Sequence, residues 1–203
     1  MAHGLADALT PERRKMMDYL TTRADGMTDA QIIARVGSAI AEFEATLDGV
    51  SADDARRPGR PGEWDIAHVV DHLAQTQIRA AEELRWLVDG QRPPGPPVYD
   101  GLISGGALWA PWSDLVEGLR AANAEFARVL ARAAASAPTR AATARTVLVV
   151  NSSSPDGAVV PDIFEAPLAW KGYALVQRLH LLDHRTQIRN LRAEAARSGG
   201  ERS

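Results

Sequence analysis

The chain has 203 residues, a formal net charge of −3 and an apolar fraction of 45%. It shows no basic patch of the kind that binds phosphates, so we expect no nucleic-acid partner. Cysteine is absent, which excludes disulfides and leaves His, Asp and Glu to hold any metal. There is no signal-peptide core and no run of about 18 apolar residues. We therefore expect a cytoplasmic protein that does not interact with membranes.

The first predicted helix begins at Thr10-Pro11-Glu12. Thr suits the cap, Pro suits the first helical position, and an acidic residue suits the first turn. The helix is predicted to end at Asp25-Gly26, and we expect it to pack outside the rest of the fold. Residues 1–27 are thus expected to form a tail and one extra helix.

Four longer helices are predicted from apolar residues that recur at helical spacing. A capping box from Thr28 to Gln31 opens the first of them. Asp65 is predicted to cap the second and Ser113 the third, while the fourth begins after Pro167. The predicted ranges are 28–48, 65–89, 113–136 and 168–196.

Three connections separate these helices. Residues 49–63 are rich in Pro and Gly and are predicted to form a loop. The Pro-rich residues 90–111 are expected either to be functional or to wrap the helices, and Trp109 and Trp112 are expected to anchor them. Residues 139–167 contain a short β-branched stretch followed by turn-forming residues, which indicates a small hairpin or an ordered loop.

Two histidines on the last predicted helix, His180 and His184, are four residues apart and therefore share one face. On the second long helix His72 lies at the edge of the apolar arc, whereas His68 falls on the polar side and is expected to face water. Three imidazoles can hold a divalent ion such as zinc or nickel and leave a position open for water. Inward histidines are more often hydrogen-bonded core residues, so a protein whose histidines bind nothing stays an alternative.

Four further residues are candidates for roles near these histidines. Asp183, Gln187 and Thr76 are placed to orient the imidazoles or to act in catalysis. Each can equally be a helix-surface or buried polar residue. Trp64 is predicted to staple the preceding loop to the helix rather than to contact a substrate.

A row of cations on the last helix is predicted to face solvent, opposite the histidine pair. Leu175 and Leu182 interrupt this row, which would expose apolar surface suited to a dimer interface. Residues after Arg197 are expected to be frayed. The predicted outward cations are Lys171, Arg178, Arg185, Arg189 and Arg192.

Two motifs carry a resemblance to the DinB/YfiT-like family. Trp64-Asp-Ile-Ala-His-Val-Val-Asp-His72-Leu73 resembles the signature of that family's second helix. His180-Leu-Leu-Asp-His184-Arg-Thr-Gln187-Ile188 resembles the signature of its fourth helix. The resemblance covers about residues 28–195. The N-terminal helix and the segments 90–111 and 139–167 depart from the family pattern, and the last two are expected to reshape the mouth of a pocket.

The resemblance implies an all-α, antiparallel four-helix bundle in an up-down-down-up arrangement over residues 28–197, often as a homodimer. Here it would carry an extra N-terminal helix, a short β-hairpin insertion and a disordered tail at 198–203. It also implies that His72, His180 and His184 bind a divalent metal, zinc or nickel. The metal would activate a low-molecular-weight thiol or water for thiol transfer to, or hydrolysis of, a small molecule. The alternative is a non-catalytic metal-binding or stress-related ligand-binding bundle.

Overall fold

A computed structural model describes residues 10–59, 62–97, 104–135, 142–153 and 159–200. Most of these residues are helical, and two strands of ten residues each, β1 (Ala144–Ser153) and β2 (Val159–Leu168), form an antiparallel sheet. A π-helical turn, Tyr19–Arg23, joins the first two helices. The helices are α1 (Pro11–Asp18), α2 (Ala24–Gly26), α3 (Asp29–Ala45), α4 (Ala52–Ala55), α5 (Ile66–Val88), α6 (Trp112–Ala135) and α7 (Trp170–Gly200).

Three helices begin at the residues that the sequence predicts. Thr10, Thr28 and Asp65 each accept a hydrogen bond from the backbone N–H three residues further on. The Gln31 side chain also accepts from the Thr28 N–H, which completes the predicted capping box. These bonds satisfy N–H groups that have no partner inside their own helix, and so they determine where α1, α3 and α5 start.

The four long helices pack against one another, with α5 and α3 each in contact with both α6 and α7. Their buried side chains form two apolar clusters. One cluster joins the helices to the N-terminal segment and the sheet through residues such as Leu20, Phe126 and Leu148. The other contains Leu73 of α5 and Leu181 of α7. Both of these leucines neighbour histidines in sequence, so close packing holds the two histidine-bearing helices together there.

The N-terminal segment is packed tightly onto the start of α7. A Cβ atom added to Gly172 would lie 2.2 Å from the backbone oxygen of Leu20. The neighbouring Lys171 was predicted to face solvent, and this is wrong, because it is only 5% exposed. Its Nζ donates to the Met27 carbonyl at 2.5 Å and lies 3.0 Å from an Asp29 carboxylate oxygen. The N-terminal segment covers this position, and the end of α2 supplies the carbonyl that the ammonium binds.

Two of the other cations that the sequence predicts to face solvent are only partly exposed. Arg178 and Arg185 are half-buried, where they contact the Tyr19 hydroxyl and a Glu42 carboxylate. Leu175, predicted to be an exposed apolar residue, is completely buried. The surface invoked for a dimer interface is therefore absent at that position.

The last two predicted cations face solvent, and α7 extends beyond its predicted end. Arg189 and Arg192 are exposed as predicted. Helix α7 continues to Gly200, and the disordered tail expected at 198–203 stays a prediction. Residues 201–203 of the predicted disordered tail lie outside the described part of the chain.

The connections differ from the predictions in three places. The predicted loop 49–63 contains the short helix α4. Helix α6 begins at Trp112, so Ser113 lies inside the helix and its hydroxyl donates to Asp114 instead of capping. Trp112 anchors its segment by donating its indole N–H to the Val50 carbonyl, whereas the Trp109 side chain is 84% exposed, unlike the anchor that the sequence predicts.

Within the stretch 139–167, the described residues form a two-stranded antiparallel sheet rather than an ordered loop, with Ala144–Ser153 paired to Val159–Leu168. Of the predicted turn at 151–157, residues 151–153 belong to β1 and the others lie outside the described residues. Arg13 of α1 donates two hydrogen bonds to Asp162 of β2, at 2.6 and 2.5 Å. The N-terminal helix and the sheet are thus joined directly. No helix in the described ranges is long and apolar enough to cross a membrane.

Candidate metal centre

The structure brings His72 of α5 together with His180 and His184 of α7. Nε2 of His180 lies 3.0 Å from Nε2 of His72 and 2.9 Å from Nε2 of His184. The three ring centroids are 4.6 to 5.1 Å apart. Two helices thus converge so that all three imidazoles present the same ring nitrogen to one point.

Burial favours the neutral form of all three imidazoles. Burial lowers the pKa of His72 to about 4, helped by the charge of His184 and opposed by Asp71. Burial likewise lowers the pKa of His180 well below its ordinary value, and that of His184 to a smaller extent. A neutral imidazole keeps one nitrogen lone pair free, which is the form that binds a metal.

The hydrogens on these rings cannot satisfy all the contacts between them. Nδ1 of His184 donates to Oε1 of Gln187 at 2.8 Å, which leaves the lone pair of His184 on Nε2. If Nε2 of His180 carries a hydrogen, it can donate to His72 or His184 but not fully to both. At least one of the two short contacts therefore lacks a full hydrogen bond, and a cation between the rings would replace it with metal–nitrogen bonds.

The spacing of the nitrogens also suits a metal ion. Bonds of about 2.0–2.1 Å at tetrahedral angles place ligand nitrogens about 3.3 Å apart, close to the 2.9 and 3.0 Å seen between the Nε2 atoms. An all-imidazole set suits zinc, nickel and similar ions better than calcium or magnesium. The group His72, His180 and His184 could therefore hold one metal ion.

The predicted candidates near the histidines occupy different positions. Gln187 accepts a hydrogen bond from the His184 ring. The Thr76 hydroxyl donates to the His72 backbone carbonyl at 2.8 Å, which is a contact within α5. Asp183 is exposed, and its charge acts on His184. The Trp64 ring lies 5.0 Å from the His72 ring, so it restricts that imidazole as well as packing the loop.

His68 is not part of the three-histidine group. Its Nδ1 lies 2.8 Å from a carboxylate oxygen of Asp65, the residue that caps α5. The side chain is 24% exposed, so the prediction that it faces water is only partly right. His68 therefore serves as a matched control for experiments on the other three histidines.

Asp71, next to His72, has a role that sequence reasoning missed. Its Oδ2 accepts hydrogen bonds from the Ser104 hydroxyl and from the backbone N–H groups of Gly106 and Ala107. Burial raises its pKa, but these donors and Gln75 outweigh that effect, and the net shift is downward. The helix that carries His72 thereby holds residues 104–107. The sequence signal that could have indicated this role is an acidic residue directly before a candidate metal ligand.

A cavity of about 450 Å³ adjoins the histidines and was also not located from the sequence. His72 and His180 line it together with Tyr173 and Gln177 of α7. Strand β1 forms one wall, which agrees with the expectation that the 139–167 segment reshapes a pocket.

The described part of the chain is thus a mostly helical protein with a small sheet and a three-histidine group beside a cavity. The family model of the DinB superfamily matches residues 14–160, which is more than half of the chain. The chain belongs to the DinB superfamily. The match includes His72 but ends before α7, so the geometry and the motif carry the case for His180 and His184. No curated protein and no solved structure matches the chain.

The lowered pKa values predict how the metal-free protein responds to acid. Because the folded state disfavours protonation, these histidines contribute their full stabilising effect above the unfolded pKa of about 6.5. That contribution is lost as the pH falls through the folded values, about 4 for His72. Between these limits we expect the free energy of unfolding of chelator-treated protein, measured by urea titration, to fall with pH by up to about 1.4 kcal/mol per pH unit for each titrating histidine.

Two variants show whether the three-histidine group causes this dependence. His72→Met should flatten the pH dependence because it removes one titrating group. His68→Gln, which replaces a histidine outside the group, is the comparison variant. An equally steep dependence in His72→Met would contradict the assignment.

Proposed function

We propose that His72, His180 and His184 bind one divalent metal, zinc or nickel, and that the protein is a metal-dependent enzyme. The reaction class is thiol transfer or hydrolysis of a small molecule. The observation that carries the proposal is the meeting of three neutral imidazoles at their Nε2 atoms, 2.9 and 3.0 Å apart. Three ligands of this kind leave a coordination position open.

The chain's own groups would prepare the site in three ways. Gln187 keeps the hydrogen of His184 on Nδ1, so that Nε2 is free. The Trp64 ring and the packing of α5 restrict His72. Apolar side chains of β1, such as Val147 and Leu148, form part of the wall of the adjoining cavity. When bound, the metal would lower the pKa of a thiol or water and so supply a nucleophile near neutral pH.

The proposal extends to the architecture. We infer that α3, α5, α6 and α7 form the antiparallel four-helix bundle implied by the family, since each of them contacts two of the others. The bundle unit at 28–197, the homodimer and the cytoplasmic location stay predictions. Analytical ultracentrifugation would test the dimer.

Elemental analysis tests the metal first. We expect untagged protein, purified without added metal, to carry about one zinc or nickel ion per chain. His72→Ala and His184→Ala should each lose it, while His68→Ala should keep it. Unaltered protein that is metal-free, and that takes up neither ion on dialysis, would end the proposal.

A substrate screen then separates the enzyme from a non-catalytic metal-binding protein. Thiol conjugates, esters and amides would be assayed with the metal-loaded protein, with and without chelator. Turnover that the chelator abolishes and the metal restores supports the enzyme. Metal binding without turnover favours the alternative of a ligand-binding protein.

A further inference from the structure

The cavity beside the histidines contains a polar atom whose hydrogen-bonding capacity is not met. Gln177 lines the cavity and is only 7% exposed. Its Oε1 is buried, and no donor in the described ranges reaches it. A buried acceptor without a partner is destabilising, and such atoms are rare unless water or a ligand supplies the donor.

The position of Gln177 connects this acceptor to the candidate metal centre. It precedes His180 by three residues, so the two side chains share one face of α7. Both line the same cavity. A molecule that donates to Gln177 would therefore lie next to the histidine group.

Several apolar side chains of the sheet also line the cavity, and some of them reach the surface. They include Val147, Val149 and Ile163 of the two strands. Val149 and Ile163 are cross-strand partners and are 48% and 45% exposed. Half-exposed aliphatic side chains that also line a cavity form an apolar rim, which suits the hydrocarbon part of a ligand.

The charged groups of the lining do not favour an anionic ligand. Arg145, the cation among the described lining residues, already pairs with Glu165. Two acidic residues, Glu83 and Asp183, also line the cavity. An anion would meet these carboxylates without a free cation to compensate.

From these observations we propose that the cavity binds a small uncharged molecule with an apolar body and one amide N–H or hydroxyl group that donates to Oε1 of Gln177. The inference deepens the proposed function, and it rests on that function for the view that the bound molecule is a substrate. Gln177 acts as a specificity-determining residue that places the molecule beside His180.

Binding of matched probes tests this inference. N-butylbenzamide presents an amide N–H, N-butyl-N-methylbenzamide lacks it, and 4-butylbenzoate is the anionic counterpart. We expect the full-length protein, measured by calorimetry or ligand-observed NMR, to bind the first about tenfold more tightly than the second. The benzoate should bind more weakly than N-butylbenzamide. In Gln177→Met the two amides should bind within about twofold of each other.

A second variant keeps the test decisive if Gln177→Met folds poorly. Val149→Asp lies on the half-exposed rim and should weaken both amides equally, without changing the preference for the N–H. Failure of all probes to bind, equal binding of the two amides to the unaltered protein, or an unchanged preference in Gln177→Met would overturn the inference. So would a benzoate that binds more tightly than N-butylbenzamide.

Measuring both metal-loaded and chelator-treated protein separates this inference from the proposed function. A preference for the N–H in a protein that binds no metal leaves the cavity inference standing while the metal proposal fails. Metal binding without that preference would support the metal proposal and overturn the cavity inference.

Discussion

His180→Ala is expected to reduce bound metal from about one ion per chain to less than about a tenth. His180 is the central member of the group, because its Nε2 is within 3.0 Å of the same atom in each of the other two histidines. Without it, two imidazoles from different helices remain. We expect the dissociation constant to rise more than about 100-fold, since the loss of groups that only orient ligands already costs about 10–100-fold.

Graded variants make this prediction specific. Gln187→Leu removes the acceptor that orients His184 and should weaken metal binding by about 10–100-fold without abolishing it. His68→Ala should have no effect. Metal at 100 times the dissociation constant should stabilise the unaltered protein by about 2.7 kcal/mol, which is seen as a rise in its melting temperature. The same metal concentration should not raise the melting temperature of His180→Ala. Full metal occupancy in His180→Ala would show that the ion binds elsewhere.

Gly172→Ala is expected to destabilise the fold by about 3 kcal/mol or more, measured by urea unfolding. The new Cβ would lie 2.2 Å from the Leu20 backbone oxygen and 3.3 Å from its carbonyl carbon. Backbone atoms cannot rotate away as a side chain can, so the N-terminal segment must move off α7. Leu20 and Ala24, each 1% exposed, would then lose part of their burial.

Two other helical glycines serve as controls. A Cβ added to Gly37 of α3 or Gly118 of α6 would meet nothing within 4 Å. Because alanine favours helix over glycine, Gly37→Ala and Gly118→Ala should each stabilise the protein, by up to about 1 kcal/mol. A Gly172→Ala protein as stable as these would show that the close packing onto Leu20 does not exist in solution.

Much of the helical framework could be predicted from local sequence. Thr28 and Asp65 cap their helices through contacts only three residues long, which a sequence displays directly. The shared face of His180 and His184 follows from helical periodicity alone. The place of His72 beside them required the further assumption that apolar arcs face inward, and this held because Val69 and Leu73 are completely buried.

The features that were missed depend on segments distant in the chain. Lys171 is buried because the N-terminal segment covers it, and nothing in its own helix indicates this. Asp71 acts on residues more than thirty positions away, after a Pro-rich connection. The cavity exists because β1 lies against α7, an arrangement that periodicity within one element cannot reveal.

The two ion-pair hydrogen bonds from Arg13 to Asp162 join helix α1 to strand β2. Met16 of the same helix also lines the cavity. In a shortened chain that starts at α3, strand β2 would lose its hydrogen bonds with Arg13. The cavity would lose Met16 from its lining. Amide hydrogen exchange in β2 should then accelerate, even though the histidine-bearing helices are untouched.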